Sequence, residues 1–299
     1  MQDETIALKR ARISKLESQI QELQTELDGL LLEIKMDVSP DLFIETMTFP
    51  ENLSETGIIN MTSSNTEKIK LFLSLFKGRP DVCAKRWRNK PGYSPYCRND
   101  FRPGVCQKPR VRCSDCTVSD FAPLGPDQIL EHLTGQHVLG LYPLTTADTC
   151  FLLAMDLDEA NWQRDAQVIR SICREQNIPV SLERSRSGNG GHLWWFFESE
   201  VKASMARGFG LSILELAMAK SPDITFESFD RLFPSQDILP KDGFGNLIAL
   251  PLQKEARASG NTVFLDDDLQ IIEDQWSYLS SIQKIQPDQL EAFSPLELV

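Results

Sequence analysis

The stretch TCFLLAMDLD, residues 149–158, decides the fold. Its apolar run is almost unbroken, which is typical of a β-strand that is buried on both faces. The strand ends in Asp156 and Asp158, and because side chains alternate along a strand, these two carboxylates point the same way. Burying two acids is costly unless a cation compensates them, and oxygen ligands suit Mg²⁺ or Mn²⁺. The pair therefore predicts a divalent-metal site, with the alternative that it caps the helix that follows.

The segments around this strand predict a fold of the α+β class. A helix at 161–177 and a strand at 179–186 complete a strand–helix–strand unit, and residues 191–199 return as the partner strand of a hairpin. Further helices are expected at 66–76, 126–133 and 202–220, and further strands at 137–144, 224–229, 246–253 and 262–266. Strands with helices packed on one side indicate an α+β sandwich.

The turn of that hairpin, SGNGG at residues 187–191, is preceded by Arg184 and Arg186 and followed by His192. A glycine-rich turn leaves backbone N–H groups free to converge on anionic oxygens, and two arginines can grip phosphates. In a tight hairpin His192 would lie near Ser187, beside the same cleft. The pattern predicts a phosphate site, with a plain hairpin and a surface histidine as the alternative.

A third candidate acid, Asp230, follows an apolar β-like segment in SFDRLFPSQD, residues 228–237. Two carboxylates can hold one metal ion, whereas a third lets two ions share a site, as is common in phosphoryl transfer. Asp237 is a competing candidate in the same segment. Downstream, in KDGFGNLIALPLQK (residues 241–254), a glycine turn is predicted before a β segment that ends at Lys254. Lys254 is a candidate phosphate ligand.

The net charge of −12 conceals a strongly basic segment. From Lys77 to Arg112 there are eleven Lys or Arg and two acidic residues, so this segment carries +9 and the rest of the chain carries −21. The aromatic residues among these cations are Trp87, Tyr93, Tyr96 and Phe101. A basic, aromatic module on an acidic body predicts local binding of nucleic acid, with a solvated basic loop as the alternative.

Cysteines cluster in the same module. The seven of the chain are Cys83, Cys97, Cys106, Cys113, Cys116, Cys150 and Cys173. An odd number in a reducing compartment argues against a disulfide framework. Four of them, Cys97, Cys106, Cys113 and Cys116, fit a structural Cys₄ site for Zn²⁺, with buried free thiols as the alternative. Cys83 and His132 are spare ligands.

The N-terminal 36 residues predict a helix with a heptad seam, which favours a two-stranded coiled coil and a homo-oligomer, with a single amphipathic helix as the alternative. We expect four segments: the coiled-coil helix (1–36), a connector with a short helix (37–76), the basic cysteine module (77–121) and the catalytic core (122–299). No signal or membrane-spanning segment is expected, so a cytoplasmic setting is predicted.

Three motifs together carry a resemblance to a known family. FLLAMDLD, SRSGNGGHLWWFF and SFDRLFPSQD with the following GFGNLIALPLQ resemble, in this order, the motifs of the archaeo-eukaryotic primase superfamily. The wording is especially similar to the primase-polymerases of TOTE conflict systems and their CRISPR-associated relatives. The resemblance covers about residues 80–285 and implies an RRM-like catalytic core that synthesises and extends primers from nucleoside triphosphates on a single-stranded DNA or RNA template.

The resemblance also implies roles for particular residues. Asp156, Asp158 and Asp230 would ligate two Mg²⁺ or Mn²⁺ ions, and His192 would contact the phosphates of the incoming nucleotide. The residues that would lie near those phosphates are Arg184, Arg186, Ser187 and Gly190. The family usually has a serine where Gly190 stands, so a hydroxyl contact would have to come from Ser187 or be absent.

The same resemblance leaves the partners open, with a helicase, a nuclease or a CRISPR component as candidates. Two other classes of function remain as alternatives to the enzyme. One is a nucleic-acid-binding module that keeps an RRM-like sheet and a zinc finger but does not catalyse. The other is a scaffold organised by the coiled coil. A binding module has no need of three acids around one glycine turn, which is the feature that separates it from a polymerase.

Overall fold

The computed structural model describes residues 58–158, 161–221, 227–241, 243–291 and 293. All the described residues lie in one compact unit, Thr56–Val299. The predicted coiled coil at 1–36 lies outside the described residues. The segment boundaries predicted at residues 76 and 121 stay predictions.

Helices and strands are numbered here along the described chain. The helices are α1 (Asn65–Leu75), α2 (Pro126–Thr134), α3 (Trp162–Glu175), α4 (Ala203–Lys220), α5 (Lys254–Ala258), α6 (Gln275–Ser281) and α7 (Pro287–Glu291). The strands are β1 (Ala84–Arg86), β2 (Tyr93–Pro95), β3 (Leu139–Leu141), β4 (Thr149–Asp158), β5 (Ser181–Arg184), β6 (Gly190–Lys202), β7 (Phe229–Phe233), β8 (Ile248–Ala249) and β9 (Phe264–Leu265). The predicted central strand therefore has the bounds of β4.

The main sheet has five strands in the order β7-β4-β6-β5-β9, and each neighbouring pair is antiparallel. Because β4 and β5 both run antiparallel to β6, they are parallel to each other, with β6 inserted between them. The chain from β4 to β7 thus follows a β-α-β-β-α-β order, in which α3 and α4 are the connecting helices. This is a mixed α/β fold built on antiparallel sheets.

Both faces of this sheet are covered, whereas the sequence predicted helices on one side. Trp194 and Trp195 are neighbours on β6 and point to opposite faces. The Trp194 ring packs edge-on against Phe76, just beyond α1, while the Trp195 ring packs edge-on against Phe209 of α4. All four side chains are buried. The double cover explains why β4 and β6 read as continuous apolar runs.

A smaller antiparallel sheet, in the order β2-β1-β3-β8, contains the first strands of the basic module. Its last strand corrects a prediction, since the β segment expected at 246–253 is confined to Ile248–Ala249 and Lys254 begins α5 instead. Pro251 has no N–H to continue a ladder. The Gln253 side chain then accepts the Ala256 N–H and caps the helix.

The ends of α1 and α2 carry the residue types that are typical of helix ends. Ser64 and Glu67 form a capping box at the start of α1, and Pro126 occupies the first turn of α2. Gly135 ends α2 with φ +89°, a left-handed conformation that favours glycine. In the part of the chain that the structure describes, no helix has both the length and the apolar character that crossing a bilayer requires.

Candidate active site

The acidic end of β4 lies beside β7, and a β-bulge brings the third acid to it. Asp156 pairs with Arg231 and Leu157 pairs with Phe229, so Asp230 is the extra residue between them. In an unbroken strand Asp230 would point to the face opposite Asp156. The bulge re-aims its side chain towards the two acids of β4.

These three carboxylates form a tight cluster. Asp156, Asp158 and Asp230 each offer an oxygen, and the three oxygens lie within 4.8 Å of one another. Among the described residues no other group of three or more His, Cys, Asp or Glu side chains is this compact. Arg231 partly compensates the charge, because its Nε donates to Asp230 Oδ2 at 2.7 Å. Asp237, the competing candidate, pairs with Arg207 instead.

His192 lies on the strand next to the cluster and faces it. Its Nε2 is 3.4 Å from Asp156 Oδ1, and its Nδ1 is 2.9 Å from Glu183 Oε2. The residue is only 8% exposed, so the alternative of a surface histidine is wrong. Burial alone would lower the pKa of His192, but the charges of Glu183 and Asp156 outweigh it and raise that pKa to about 10. At neutral pH the imidazole is therefore a buried cation.

Glu183 is a member of this site that the sequence reading missed. It is 1% exposed, and its Oε2 also accepts a hydrogen bond of 2.9 Å from Trp194 Nε1. One buried carboxylate thus fixes both the His192 ring and the Trp194 ring. The sequence signal was an acid on the short β5 strand, opposite His192 in the hairpin register. In ERSRSGNGGH the two arginines are the more evident signal, because cations beside a glycine turn are typical of a phosphate site.

We expect Glu183→Gln to destabilise the fold by about 2 kcal/mol, because the amide oxygen can still accept both hydrogen bonds but the neutral side chain no longer compensates the buried charge of His192. Urea-induced unfolding of the purified variant measures this. Glu198→Gln is the matched control, since Glu198 lies exposed on β6. Equal midpoints for the two variants would contradict the buried network.

The glycine hairpin lies against the acids. Ser185 N donates to Gly190 O at 2.9 Å and closes the turn, in which Gly188 has φ +80°. A Cβ added to Gly190 would come within 2.5 Å of Asp158 Oδ1, so only glycine allows this approach. A cleft of about 600 Å³ opens here, with Asp158 on one wall and residues 187–189 on the other.

The candidate phosphate ligands are distributed unequally around this cleft. Ser187 lines it, and the Ser187 hydroxyl accepts the Asn189 N–H at 3.2 Å. Arg184 and Arg186 are half-buried beside it and bond to the segment that contains α5: Arg184 to Gly260 O and Arg186 to Gln253 Oε1, at 3.2 and 3.4 Å. Lys254 is exposed on α5 and, like the two arginines, does not line the cleft.

The predicted zinc ligands share one small cavity in the basic module. Cys97, Cys106, Cys113 and Cys116 all line this cavity of about 20 Å³. Their sulfurs do not reach the compactness of the aspartate cluster. Burial raises the pKa of the Cys113 thiol, which Lys108 nearby partly offsets. The seven cysteines of the chain are free thiols.

The two spare ligands lie elsewhere. Cys83 is fully buried in the core, as are Cys150 and Cys173. His132 is also buried, with Nε2 2.9 Å from Pro251 O and Nδ1 accepting the Leu139 N–H at 3.0 Å. Because backbone groups occupy both ring nitrogens, His132 has a structural role.

Comparison with known proteins identifies the family. The family model described as "TOTE conflict system, Archaeo-Eukaryotic Primase domain" matches residues 67–293, which is most of the chain. The chain therefore belongs to this family of primase domains, as the three motifs indicated. Membership supports nucleotidyl transfer as the general activity.

Two solved structures are also similar. One is the polymerase domain of Ligase D from Mycobacterium tuberculosis in complex with DNA, at 14% identity and a TM-score of 0.38, over 76% of this chain and 85% of that one. The other is the archaeo-eukaryotic primase domain of the primase-polymerase of cyanophage S-2L, at 13% identity and a TM-score of 0.36, over 77% and 98%. A comparison with curated proteins finds no significant match.

Proposed function

We propose that this protein is a primase-polymerase, which joins nucleotides on a single-stranded DNA or RNA template and both initiates and extends primers. The observation that carries the proposal is the convergence of Asp156, Asp158 and Asp230 beside a glycine hairpin. The β-α-β-β-α-β order of the main sheet supports an RRM-like catalytic core. A module that only binds nucleic acid would gain nothing from three clustered acids, whose mutual repulsion costs stability.

The residues of the cluster fit divalent cations. Asp156 Oδ1 is buried, and its one charged neighbour, His192 Nε2 at 3.4 Å, is too distant to make a full hydrogen bond, so this oxygen remains available as a ligand for an ion. Three carboxylates offer the hard oxygen ligands that Mg²⁺ and Mn²⁺ prefer. When bound, two such ions would stabilise both the attacking 3′-oxygen and the leaving oxygen of an in-line displacement at the α-phosphate.

The remaining side chains would hold the triphosphate. His192, kept cationic and oriented by Glu183, presents Nε2 towards the cluster and would neutralise phosphate charge. The hydroxyl of Ser187 would bind a further oxygen, whereas the Gly188 and Asn189 N–H groups are already bonded within the turn, to Ser185 O and Ser187 Oγ. Arg184 and Arg186 would contribute positive potential from the side of the hairpin, and Lys254 from α5.

We further propose that the four cysteines of the basic module bind a structural Zn²⁺ ion. Their common cavity is close to the size of a single ion site, and four thiolates with a closing C-x-x-C spacing are typical of such sites. Binding would draw the sulfurs together and order the module, because ligand convergence and folding are coupled. For the polymerase as a whole, we also propose a helicase, a nuclease or a CRISPR component as a partner. We propose in addition that the protein forms a homo-oligomer through residues 1–36.

Removal of zinc is expected to weaken template binding or initiation by about tenfold while extension of a preformed primer changes less. The measurement pairs elemental analysis of the purified protein with initiation and extension assays before and after chelation. Cys150→Ser, a core thiol outside the module, controls for general effects of losing a cysteine. Full initiation by a zinc-free sample would contradict the proposal.

The function itself is tested by incubating the full chain with a single-stranded template, labelled nucleotides and Mn²⁺, and sizing the products. Template-dependent products longer than the starting primer support the proposal, and products without a primer establish initiation. Parallel reactions with deoxy- and ribonucleotides identify the preferred substrate. Failure to incorporate either nucleotide with Mn²⁺ or Mg²⁺ would overturn it.

A further inference from the structure

A second large cavity lies in the basic module, and none of the three aspartates of the acidic cluster lines it. It is a groove of about 1,080 Å³ between the small sheet and the cysteine segment. Its cationic lining consists of Lys85, Arg86, Arg88, Lys90, Lys108 and Arg112. We call this cavity the basic groove.

The charge of the basic groove is largely uncompensated. Asp100 is the one acid in its lining, and it is already paired with Lys108 at 2.7 Å. Arg112 pairs with an acid outside the lining. The other four cations make no ion pair with a carboxylate of the described residues, although the chain as a whole carries −12. Such a concentration of unpaired positive charge in an acidic protein is a footprint of a polyanionic ligand.

Aromatic rings stand among these cations. Phe101 is 70% exposed, which is unusual for a large apolar side chain, and it adopts φ +55° at the rim of the groove. Trp87 is half-buried, with Lys90 Nζ 4.4 Å from the ring centroid and Gly92 against its edge. Aromatic rings can stack on bases, and the cations between them can bind phosphates, so this arrangement suits a single strand. In a duplex the bases are not exposed for such stacking.

The basic groove approaches the proposed nucleotide site. Tyr93 of β2 lines the groove, and it interacts electrostatically with Arg186 of the glycine hairpin and with Glu183. Glu183 in turn holds His192, which faces the aspartate cluster. The Tyr93 end of the groove is therefore the end nearer to the proposed nucleotide site.

We propose that the basic groove binds single-stranded nucleic acid, with bases stacked on Trp87 and Phe101 and phosphates held by Arg88 and Lys90. In the context of the proposed polymerase, which this inference deepens, the bound strand is the template. The occupant is a single strand because the groove combines stacking surfaces with unpaired cations. Double-stranded DNA or an acidic protein would use the cations and leave Phe101 and Trp87 without a stacked base.

The test is binding of fluorescein-labelled oligodeoxythymidylate and oligouridylate to the full chain, followed by fluorescence anisotropy over a range of salt concentrations. We expect Phe101→Ala and Trp87→Ala to weaken binding by about tenfold each. Arg88→Ala or Lys90→Ala should weaken it and reduce the slope of log affinity against log salt by about 0.7. The DNA and RNA arms show which single strand is preferred.

Matched controls lie outside the groove. Ile238→Ala removes another exposed apolar side chain, which is 69% exposed, and Lys70→Ala removes an exposed cation on α1. Both should bind as the unaltered protein does. Unchanged affinity in both Phe101→Ala and Arg88→Ala would overturn the inference, as would equal affinity for a blunt duplex or for polyglutamate.

The outcomes separate this inference from the proposed function. Normal nucleotide incorporation together with unchanged binding in the groove variants would contradict the proposed role of the groove and support the polymerase. Loss of binding in the groove variants, in a protein that incorporates no nucleotide, would support nucleic-acid binding by the groove and contradict the polymerase function.

Discussion

Asp156→Asn is expected to abolish nucleotide incorporation, by about a thousandfold or more, while the protein stays folded. The substitution keeps the size of the side chain but removes the charge of the most buried member of the aspartate cluster. Without that charge the cluster loses an anionic ligand for divalent ions. Single-turnover primer extension with Mn²⁺ and with Mg²⁺ measures the effect.

The stability of the same variant makes the prediction specific. Three carboxylates within 4.8 Å repel one another when no cation is bound, whereas Asp156 also attracts the cationic His192, so the two effects of removing its charge oppose each other and the melting temperature should change little in the presence of a chelator. Asp237→Asn is the matched control, because Asp237 pairs with Arg207 outside the cluster and should retain activity. Incorporation by Asp156→Asn at the unaltered rate would show that the metal assignment is wrong.

Gly190→Ala is expected to reduce incorporation by at least about a hundredfold and to destabilise the fold by about 2 kcal/mol. The added Cβ would lie 2.5 Å from Asp158 Oδ1 and 2.6 Å from Leu157 O. The carboxylate can swing away, but the backbone oxygen belongs to β4 and cannot, so the hairpin must shift from the acids. Primer extension and urea unfolding of one protein preparation measure both effects.

Gly125→Ala is the control for this second prediction. Gly125 precedes α2, has φ −119°, and a Cβ there would meet only the flexible end of Gln128 at 3.3 Å. Gly125 is the N-cap of α2, where alanine is less favourable than glycine, so we expect full activity with a loss of stability of about 1 kcal/mol. If the two glycine variants were equally active, the close approach of the hairpin to Asp158 would have no part in the chemistry.

Periodicity in the sequence was sufficient for most elements of the main sheet, although the strand expected at 224–229 lies at Phe229–Phe233 instead, after a turn at 227–228. The unbroken apolar run of β4, the amphipathic pattern of α3 and the glycine turn before β6 each depend on residues that are close in sequence. Their interpretation therefore needed no knowledge of the tertiary structure. The motif wording was also sufficient for the family, which residues 67–293 match.

Features that depend on long-range pairing could not be read in the same way. The β-bulge at Asp230 follows from the register between two strands that are more than seventy residues apart, and no local pattern marks it. The importance of Glu183 depends on its partners, His192 and Trp194, across the hairpin. The packing of both sheet faces similarly depends on which surface α1 packs against, and the sequence of α1 alone does not predict that surface.

The bulge has a consequence for how this chain can vary. Asp230 joins the cluster because one surplus residue sits between two fixed pairs, Asp156 with Arg231 and Leu157 with Phe229. Deleting a single residue from this edge strand would place a different side chain in that position, even if every other amino acid were kept. Substitutions around Asp230 should thus be tolerated more readily than insertions or deletions, so among functional descendants of this protein the length of the strand should drift less than its composition.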